Sequence, residues 1–383
     1  MPLNILHFSQ DFQIGRVQMG AFSRIYNYTF DANQHTILTV HQGNCETEIS
    51  KLNHLKIVSI GIGDKQLRIR NEHKMSKLIA QRILEHLDSI CETPDILFGH
   101  SHLINFQILN RVKDSLHLPL IWEANIIWGK PFEGFSSIPV KLYRMYNESK
   151  AFIECNHIVA QTSSSKKFIM NAYTIPANKI SVITNSVNLK SFIYKKIYPP
   201  KLSLPLNVYV IGRLDEMNGI EFIIRSMSEI DKHGMKLHFV GDGPKSEQLR
   251  KLSLRKEVSV ENIPFDQIPE KLIEADLLLI PRIKCFLTEQ FIPTKLLEAM
   301  ASCVIVLASD VRGINCIIKD GINGFLFEPN NAMDMLLKFN KFSSMSGTKL
   351  NELAHNSITL VRSQYNLKDR IDELQSVYAK LVH

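Results

Sequence analysis

The sequence predicts an α/β protein of two Rossmann-like domains whose parallel sheets face a cleft, with a C-terminal helix crossing back to the first domain. Three observations carry that expectation. Short apolar strands alternate with helical segments, as at Asn4–Phe8 (NILHF) and Leu277–Ile280 (LLLI), and runs apolar throughout belong to parallel sheets covered by helices on both faces. The βα series starts twice, at Asn4 and again at Asn207, on either side of KKIYPPKLSLP (Lys195–Pro205), which has three prolines, three lysines and no apolar period. The last stretch sets Leu367, Ile371, Leu374, Tyr378 and Leu381 on one helical face. The expected domains are residues 1–198 and 199–365, followed by the returning helix at 366–383.

Length and composition narrow the class. A chain of 383 residues is long enough for two cores, and 45% apolar with 22% charged residues is ordinary for a globular protein. No run approaches the roughly 18 apolar residues of a membrane span. The opening MPLNILHFSQDF lacks a basic segment followed by an apolar one, so a cytoplasmic location is expected. The six cysteines form no C-x-x-C pair and read as thiols rather than a disulfide frame. The net charge is +7, with 22 Lys+Arg against 15 Asp+Glu in residues 1–200 and 23 against 23 beyond. Either that imbalance is chance, or the first half faces lipid head groups or a phosphate-bearing acceptor. No nucleic-acid motif accompanies it, so nucleic acid is not an expected partner.

In chain order, Asn4–Phe8 opens into the loop 9–20 with Gly15 and Gly20, then a helix at 21–30. Glycine there lets backbone approach a ligand. His35–Val40 and Leu55–Ile60 are the next strands. Lys65–Ile90 is an amphipathic helix whose other faces carry Arg68, Arg70, His73, Lys74, Lys77 and Arg82, either a solvated surface or one suited to an anionic membrane. The strand Ile96–Gly99 ends at His100-Ser101-His102. Without an acidic co-ligand nearby, metal binding is not expected there; general-base, donor-binding and surface roles stay open. Leu118–Glu123 is a strand, and WEANIIWGKPFEGF holds both tryptophans, a rim for stacking on sugars or for packing. A helix at 137–153, a strand at 158–161, a helix at 163–172, a strand at 180–184 and the polar turn NSVN (Asn185–Asn188) close the first half.

Beyond the proline-rich segment the strand Asn207–Ile211 leads into Gly212-Arg213-Leu214 and a helix at 219–231. Lys236–Val240 ends in Gly241-Asp242-Gly243-Pro244, followed by a helix at 245–253, a strand at 258–260 and a helix at 267–274. Leu277–Ile280 ends at Pro281-Arg282. A polar loop carrying Glu289 then leads through Pro293 into a helix with Lys295 and Glu298, a strand at 304–308 and the Asp320–Gly324 turn. Arg282, Glu289 and the helix start thus fall outside the carboxyl ends of strands, where ligands of such sheets sit.

The second half resembles the retaining GT-B glycosyltransferases of glycosyltransferase family 4 (group 1 type). The segments that carry the resemblance are IGRLDEMNGIEFII (211–224), FVGDGPKSEQL (239–249), EADLLLIPR (274–282), TEQFIPTKLLEAMA (288–301), VLASDVRG (306–313) and IIKDGINGFLFEP (317–329). The first half is similar more loosely, through PDILFGHSHLINF (94–106), IVAQTSSSKKFI (158–169) and KISVITNSVNLKSF (179–192). LTE followed by PTKLLEAMA, together with PDILFGHS and LIWEAN, looks like a branch associated with exopolysaccharide gene clusters. The resemblance implies transfer of a sugar from a nucleotide diphospho-sugar, UDP- or GDP-linked, to a lipid-linked or oligosaccharide acceptor with retention, in polysaccharide or glycolipid assembly. It implies no cofactor and no divalent metal, and a peripheral place on the inner face of the cytoplasmic membrane. By the same resemblance Arg213 pairs with the diphosphate, Glu298 holds the ribose hydroxyls and Glu289 the transferred sugar. His100 lies near the anomeric carbon, Gly15 admits backbone to the reacting centre and Gly241 shapes the base pocket. The chain departs from the family pattern at Asn218, where lysine is usual, with Lys295 and Arg282 at the same sheet edge as substitutes. Gln290 stands where the E-x7-E spacing has its first glutamate, Cys303 replaces a common glycine, and Cys316 stands where an acidic residue is frequent. Two rival readings follow: a non-catalytic sugar-nucleotide-binding partner with an eroded site, and a nucleotide-sugar epimerase on the same fold.

Overall fold

The computed structural model describes residues 2–10, 20–42, 44–52, 54–63, 71–100, 102–124, 138–192, 195–253 and 258–382. Among these, one compact unit takes residues 2–10, 28–184 and 371–382, and a second takes 20–27 and 185–370.

The first unit is built on eight strands: β1 (Asn4–Phe8), β2 (Gln34–His41), β3 (Thr47–Leu52), β4 (Leu55–Gly61), β5 (Ile96–His100), β6 (Leu120–Ala124), β7 (His157–Ala160) and β8 (Ile180–Val182). Their order is β3-β4-β2-β1-β5-β6-β7-β8. All pairings are parallel except β3 with β4. The edge strand β3, TEISKL, was not expected from its sequence: Thr47, Glu48, Ile49, Ser50 and Lys51 are exposed, because an antiparallel edge needs no second buried face. The basic helix is described over Glu72–Glu85 and, after a break at His86, Leu87–Ile90; Arg68 and Arg70 lie outside the described residues. Met75, Ile79 and Ile83 are buried, and His73, Lys74 and Lys77 are exposed. Arg82 is not part of that exposed row, since its guanidinium donates to the carbonyls of Cys45 and Gly61.

One face of this sheet is covered by the helix Leu367–Val382, whose Leu374, Val377 and Tyr378 pack on Ile5, Ile96, Phe98, Ile121 and Val159. Burial of that stripe is what returns the chain's end to the first unit.

The second unit has six parallel strands: β9 (Leu206–Ile211), β10 (Met235–Val240), β11 (Val258–Glu261), β12 (Leu277–Ile280), β13 (Val306–Ser309) and β14 (Phe325–Phe327), in the order β11-β10-β9-β12-β13-β14. Its inner strands β12 and β13 are buried at every position, because both faces of the sheet are covered. Val208, Val210, Leu277 and Leu279 enter one core, and Tyr209, Ile211, Leu278 and Ile280 the other. No described helix in either unit is long and apolar enough to cross a membrane.

The proline-rich segment is a packed strap of the second unit rather than a free connector. Tyr198 is buried in the core beside Phe342. Its hydroxyl donates to Asp276 O (3.0 Å) and accepts from Ile305 N (2.8 Å). Tyr198→Phe leaves a buried N–H without an acceptor and is expected to cost about 1–3 kcal/mol, measured as a lower urea midpoint with unchanged slope.

Candidate active site

The carboxyl edge of the second sheet is held together by backbone contacts that only glycine permits. Gly241 has φ +140°, and a Cβ there would lie 2.1 Å from Gly212 O, so the loops after β9 and β10 touch main chain to main chain. Gly219, with φ +76°, opens the helix Ile220–Ile230, and a Cβ on it would lie 1.6 Å from Pro281 O. The loop after β12 is thereby brought against the turn after β9.

Onto that platform the chain brings five of the expected polar groups. Asp215 is the organiser: Oδ2 pairs with Arg213 Nε at 3.0 Å, and Oδ1 accepts from Asn218 N and Nδ2, each at 2.9 Å. Arg213 is thus pinned through Nε. Lys295, in the first turn of the helix Thr294–Ala301, donates through Nζ to Ile211 O (2.7 Å) and to Asn218 Oδ1 (3.3 Å). Burial, then the neighbouring Arg282 charge, pull its pKa down to about 7, against the opposing pull of Asp215 and Glu298. Arg282 donates through Nη1 to Phe291 O (3.1 Å), while its buried Nε has no partner among the described residues. Burial lowers it to about 10, so it stays charged at neutral pH. The helix begins behind Pro293 with no side-chain cap, which leaves its first N–H groups without a side-chain acceptor from the cap residue. One turn on, Glu298 is buried.

The remaining expected residues fall elsewhere. Glu289 sits on a short helix, Phe286–Gln290, not in an open loop, and Arg312 N approaches its Oε1 at 3.4 Å. Its neighbour Gln290 has a buried Oε1 without a partner among the described residues. Gly15 lies outside the described residues. His100 belongs to the first unit and is fully enclosed, with Nε2 2.9 Å from His7 Nδ1 and Nδ1 2.7 Å from Glu123 Oε2; both ring nitrogens are taken. Trp122 is packing rather than a sugar platform, being buried edge-on against Phe106, while Trp128 is outside the described residues. Among the described residues no group of three or more His, Cys, Asp or Glu side chains is placed to hold a metal ion.

Two departures from the family pattern look different once placed. Cys303 lies past the C-terminal end of the helix that Lys295 begins, with φ +60°, so it strains the backbone without touching the charged groups. Cys316 is exposed after the short helix Arg312–Asn315. Asp215 was missed in the sequence. The signal was there, an Asp three residues before Asn and four before Gly, which is turn chemistry.

Residues 201–359 match the family model described as glycosyl transferases group 1. An uncharacterized glycosyltransferase of Methanocaldococcus jannaschii is 28% identical over 193 residues, 46% of this chain and 48% of that protein. The chain thus spans about half the length of that relative. The UDP-Gal:alpha-D-GlcNAc-diphosphoundecaprenol alpha-1,3-galactosyltransferase of Escherichia coli is 25% identical over 301 residues, covering 74% of this chain and 75% of that one. Sucrose-phosphate synthase from Thermosynechococcus elongatus superposes with a TM-score of 0.78 at 14% identity over 99% of both chains. The fold of the chain is therefore GT-B.

Two expectations follow from the geometry. Lys295, with a pKa near 7 in the free protein, is charged below that value and loses its charge above it. UDP affinity, read by calorimetry, should fall several-fold between about pH 7 and 9, a range in which the diphosphate's own charge is constant, and Lys295→Met should flatten that fall. Cys303→Gly removes a left-handed non-glycine and should stabilise the fold by about 1 kcal/mol, read as a raised urea midpoint.

Proposed function

We propose that the glycosyl transferases group 1 domain at residues 201–359 is the donor half of a working enzyme. It moves a sugar from a nucleotide diphospho-sugar to a lipid-linked or saccharide hydroxyl, with retention at the anomeric carbon. The observation that carries this reading is the Lys295 ammonium 3.3 Å from Asn218 Oδ1. A cation stands beside the position where the chain lacks the family's usual lysine.

In this reading Arg213, braced by Asp215, takes the diphosphate bidentately together with Lys295 and the first N–H groups of the helix Thr294–Ala301. Glu298 accepts from the ribose hydroxyls and Glu289 from the transferred sugar. Gly241 keeps the loop after β10 low enough for the base to settle beside it. The sugar–phosphate bond breaks as charge builds on the leaving diphosphate, and these cations stabilise that charge in place. The acceptor hydroxyl attacks from the same face, and its proton passes to the leaving phosphate oxygen. The chain's contribution is positioning and charge.

For the donor, UDP is the first candidate, because the E. coli relative is described as using UDP-Gal on a diphosphoundecaprenol-linked acceptor. The exposed His73, Lys74 and Lys77 fit an acceptor presented at an anionic membrane surface, on its cytoplasmic side. His100, enclosed as it is, is assigned no contact with the sugar.

The rival of a non-catalytic nucleotide-sugar-binding partner is separated by a donor panel of UDP- and GDP-sugars, read by nucleotide release with a polyprenyl-diphosphate-sugar acceptor. Release from one donor is expected. UDP binding with no donor turned over sinks the enzyme reading in favour of the partner. Arg213→Ala should lower kcat by about 10²–10³, equivalent to about 3–4 kcal/mol, and Glu298→Ala should weaken UDP binding; unchanged UDP affinity in both variants refutes the site.

A further inference from the structure

A second polar system, separate from the donor site, lies under the C-terminal helix in the first unit. The register of β1, β2, β5 and β6 puts His35, His7, His100 and Glu123 on one face of the sheet as a diagonal stripe. Ile5 lies opposite His35, His7 opposite Phe98, and His100 opposite Glu123. Their rings join end to end. Asp31 Oδ1 is 2.7 Å from His35 Nε2, His35 Nδ1 is 2.8 Å from His7 Nε2, His7 Nδ1 is 2.9 Å from His100 Nε2, and His100 Nδ1 is 2.7 Å from Glu123 Oε2. The side chains of Asp31 and His35 are 2% and 1% exposed, and His7, His100 and Glu123 are at 0%.

Counting protons constrains this chain. Four contacts need four hydrogens, one per contact, and three neutral imidazoles bring three. A fourth proton is required, or two lone pairs face each other at hydrogen-bond distance. Placed on any of the imidazoles, it leaves three charges buried together: one imidazolium and two carboxylates. Placed on a carboxyl, it leaves one, which desolvation favours. Burial and the imidazoles on either side already push His7 well below the ordinary histidine value. Between the two carboxyls, the described donors favour Asp31 as the place for the charge. It accepts from Asn33 N (2.7 Å), Asn33 Nδ2 (3.0 Å) and Gln375 Nε2 (2.6 Å) besides His35, and its pKa is lowered. Glu123 Oε1 takes the hydroxyl of Tyr28 at 2.7 Å, as the carbonyl oxygen of a neutral acid can.

We propose that Glu123 is held as a neutral carboxylic acid, and that the directed chain Glu123→His100→His7→His35→Asp31 is a one-proton latch that makes the cohesion of the first unit sensitive to pH. The latch ties β1, β2, β5 and β6 to Tyr28 through Glu123 and to the C-terminal helix through Gln375. Two described titratable groups near it, Tyr378 and His157, are neutral. Tyr378, on the C-terminal helix, is pushed well above the ordinary tyrosine value, chiefly by burial. His157, on β7, is drawn down to about 4 by burial and nearby lysines and faces Ser181 Oγ. When the fourth proton leaves, one of the four contacts loses its hydrogen and opens.

The sign follows from linkage. The fold keeps a proton that the unfolded chain releases above the ordinary glutamate value of about 4.3. The stabilisation is full below that value and is lost as pH rises through the folded value. Glu123→Gln reproduces the neutral acid, donating to His100 Nδ1 and accepting from Tyr28, without a proton to lose. In urea unfolding of the full chain, the unfolding constant of wild type should rise relative to Glu123→Gln by about tenfold per pH unit above about pH 5 until the latch opens. Parallel curves for the two proteins, or the opposite slope, overturn the proposal. Nitrogen-15 spectra of the histidines in wild type decide it even if the variant does not fold. All three rings should be neutral and protonated on Nε2. A proton on His100 Nδ1, or an imidazolium at any of the three, overturns it.

Discussion

The Lys295 ammonium, 2.7 Å from the carbonyl oxygen of Ile211, is the contact on which the edge of the second sheet depends. It ties the helix Thr294–Ala301 to the end of β9. Its partners are a carbonyl and an amide, neither of which returns a full negative charge. A buried cation so placed loses hydration without gaining an anion, and its proton affinity falls toward neutrality. A diphosphate at this edge restores what burial removed. That is why the proposed donor pose assigns the substitution at Asn218 to a relocated charge and not to a missing one.

The same edge shows how backbone geometry comes before chemistry. Gly219 and Gly241 let three loops meet main chain to main chain. Only then can Asp215 brace Arg213 and Asn218 at once. Cys303 breaks a glycine rule at the far end of the helix, with φ +60°. Its cost is one of stability, and it is placed too far along the helix to erode the charged cluster.

Much of this architecture was legible in the sequence because parallel strands covered on both faces must be apolar at every position. The Leu277–Ile280 run emerged with the expected bounds for that reason. The β3 edge was not legible, since a strand with one solvated face carries no such run. Tyr198 was hidden by its setting: three prolines and three lysines suggest a connector, and nothing local shows that one hydroxyl will close two backbone groups far away in sequence. Of the site residues, Arg213, Asn218, Arg282, Lys295 and Glu298 could be placed at one edge because they follow strands or open helices. The buried histidine stripe was not visible in the same way. His7 and His35 each read as ordinary strand positions, and only the register between β1, β2 and β5 aligns them with His100.

The central claim is that Lys295 supplies the charge that position 218 lacks, and a charge-swap measurement of turnover tests it most directly. Lys295→Met should lower kcat by about two to three decades, and Asn218→Lys added to that variant should recover at least about a tenfold part of the loss. Full activity in Lys295→Met, or no recovery in the double variant while UDP still binds, contradicts the account.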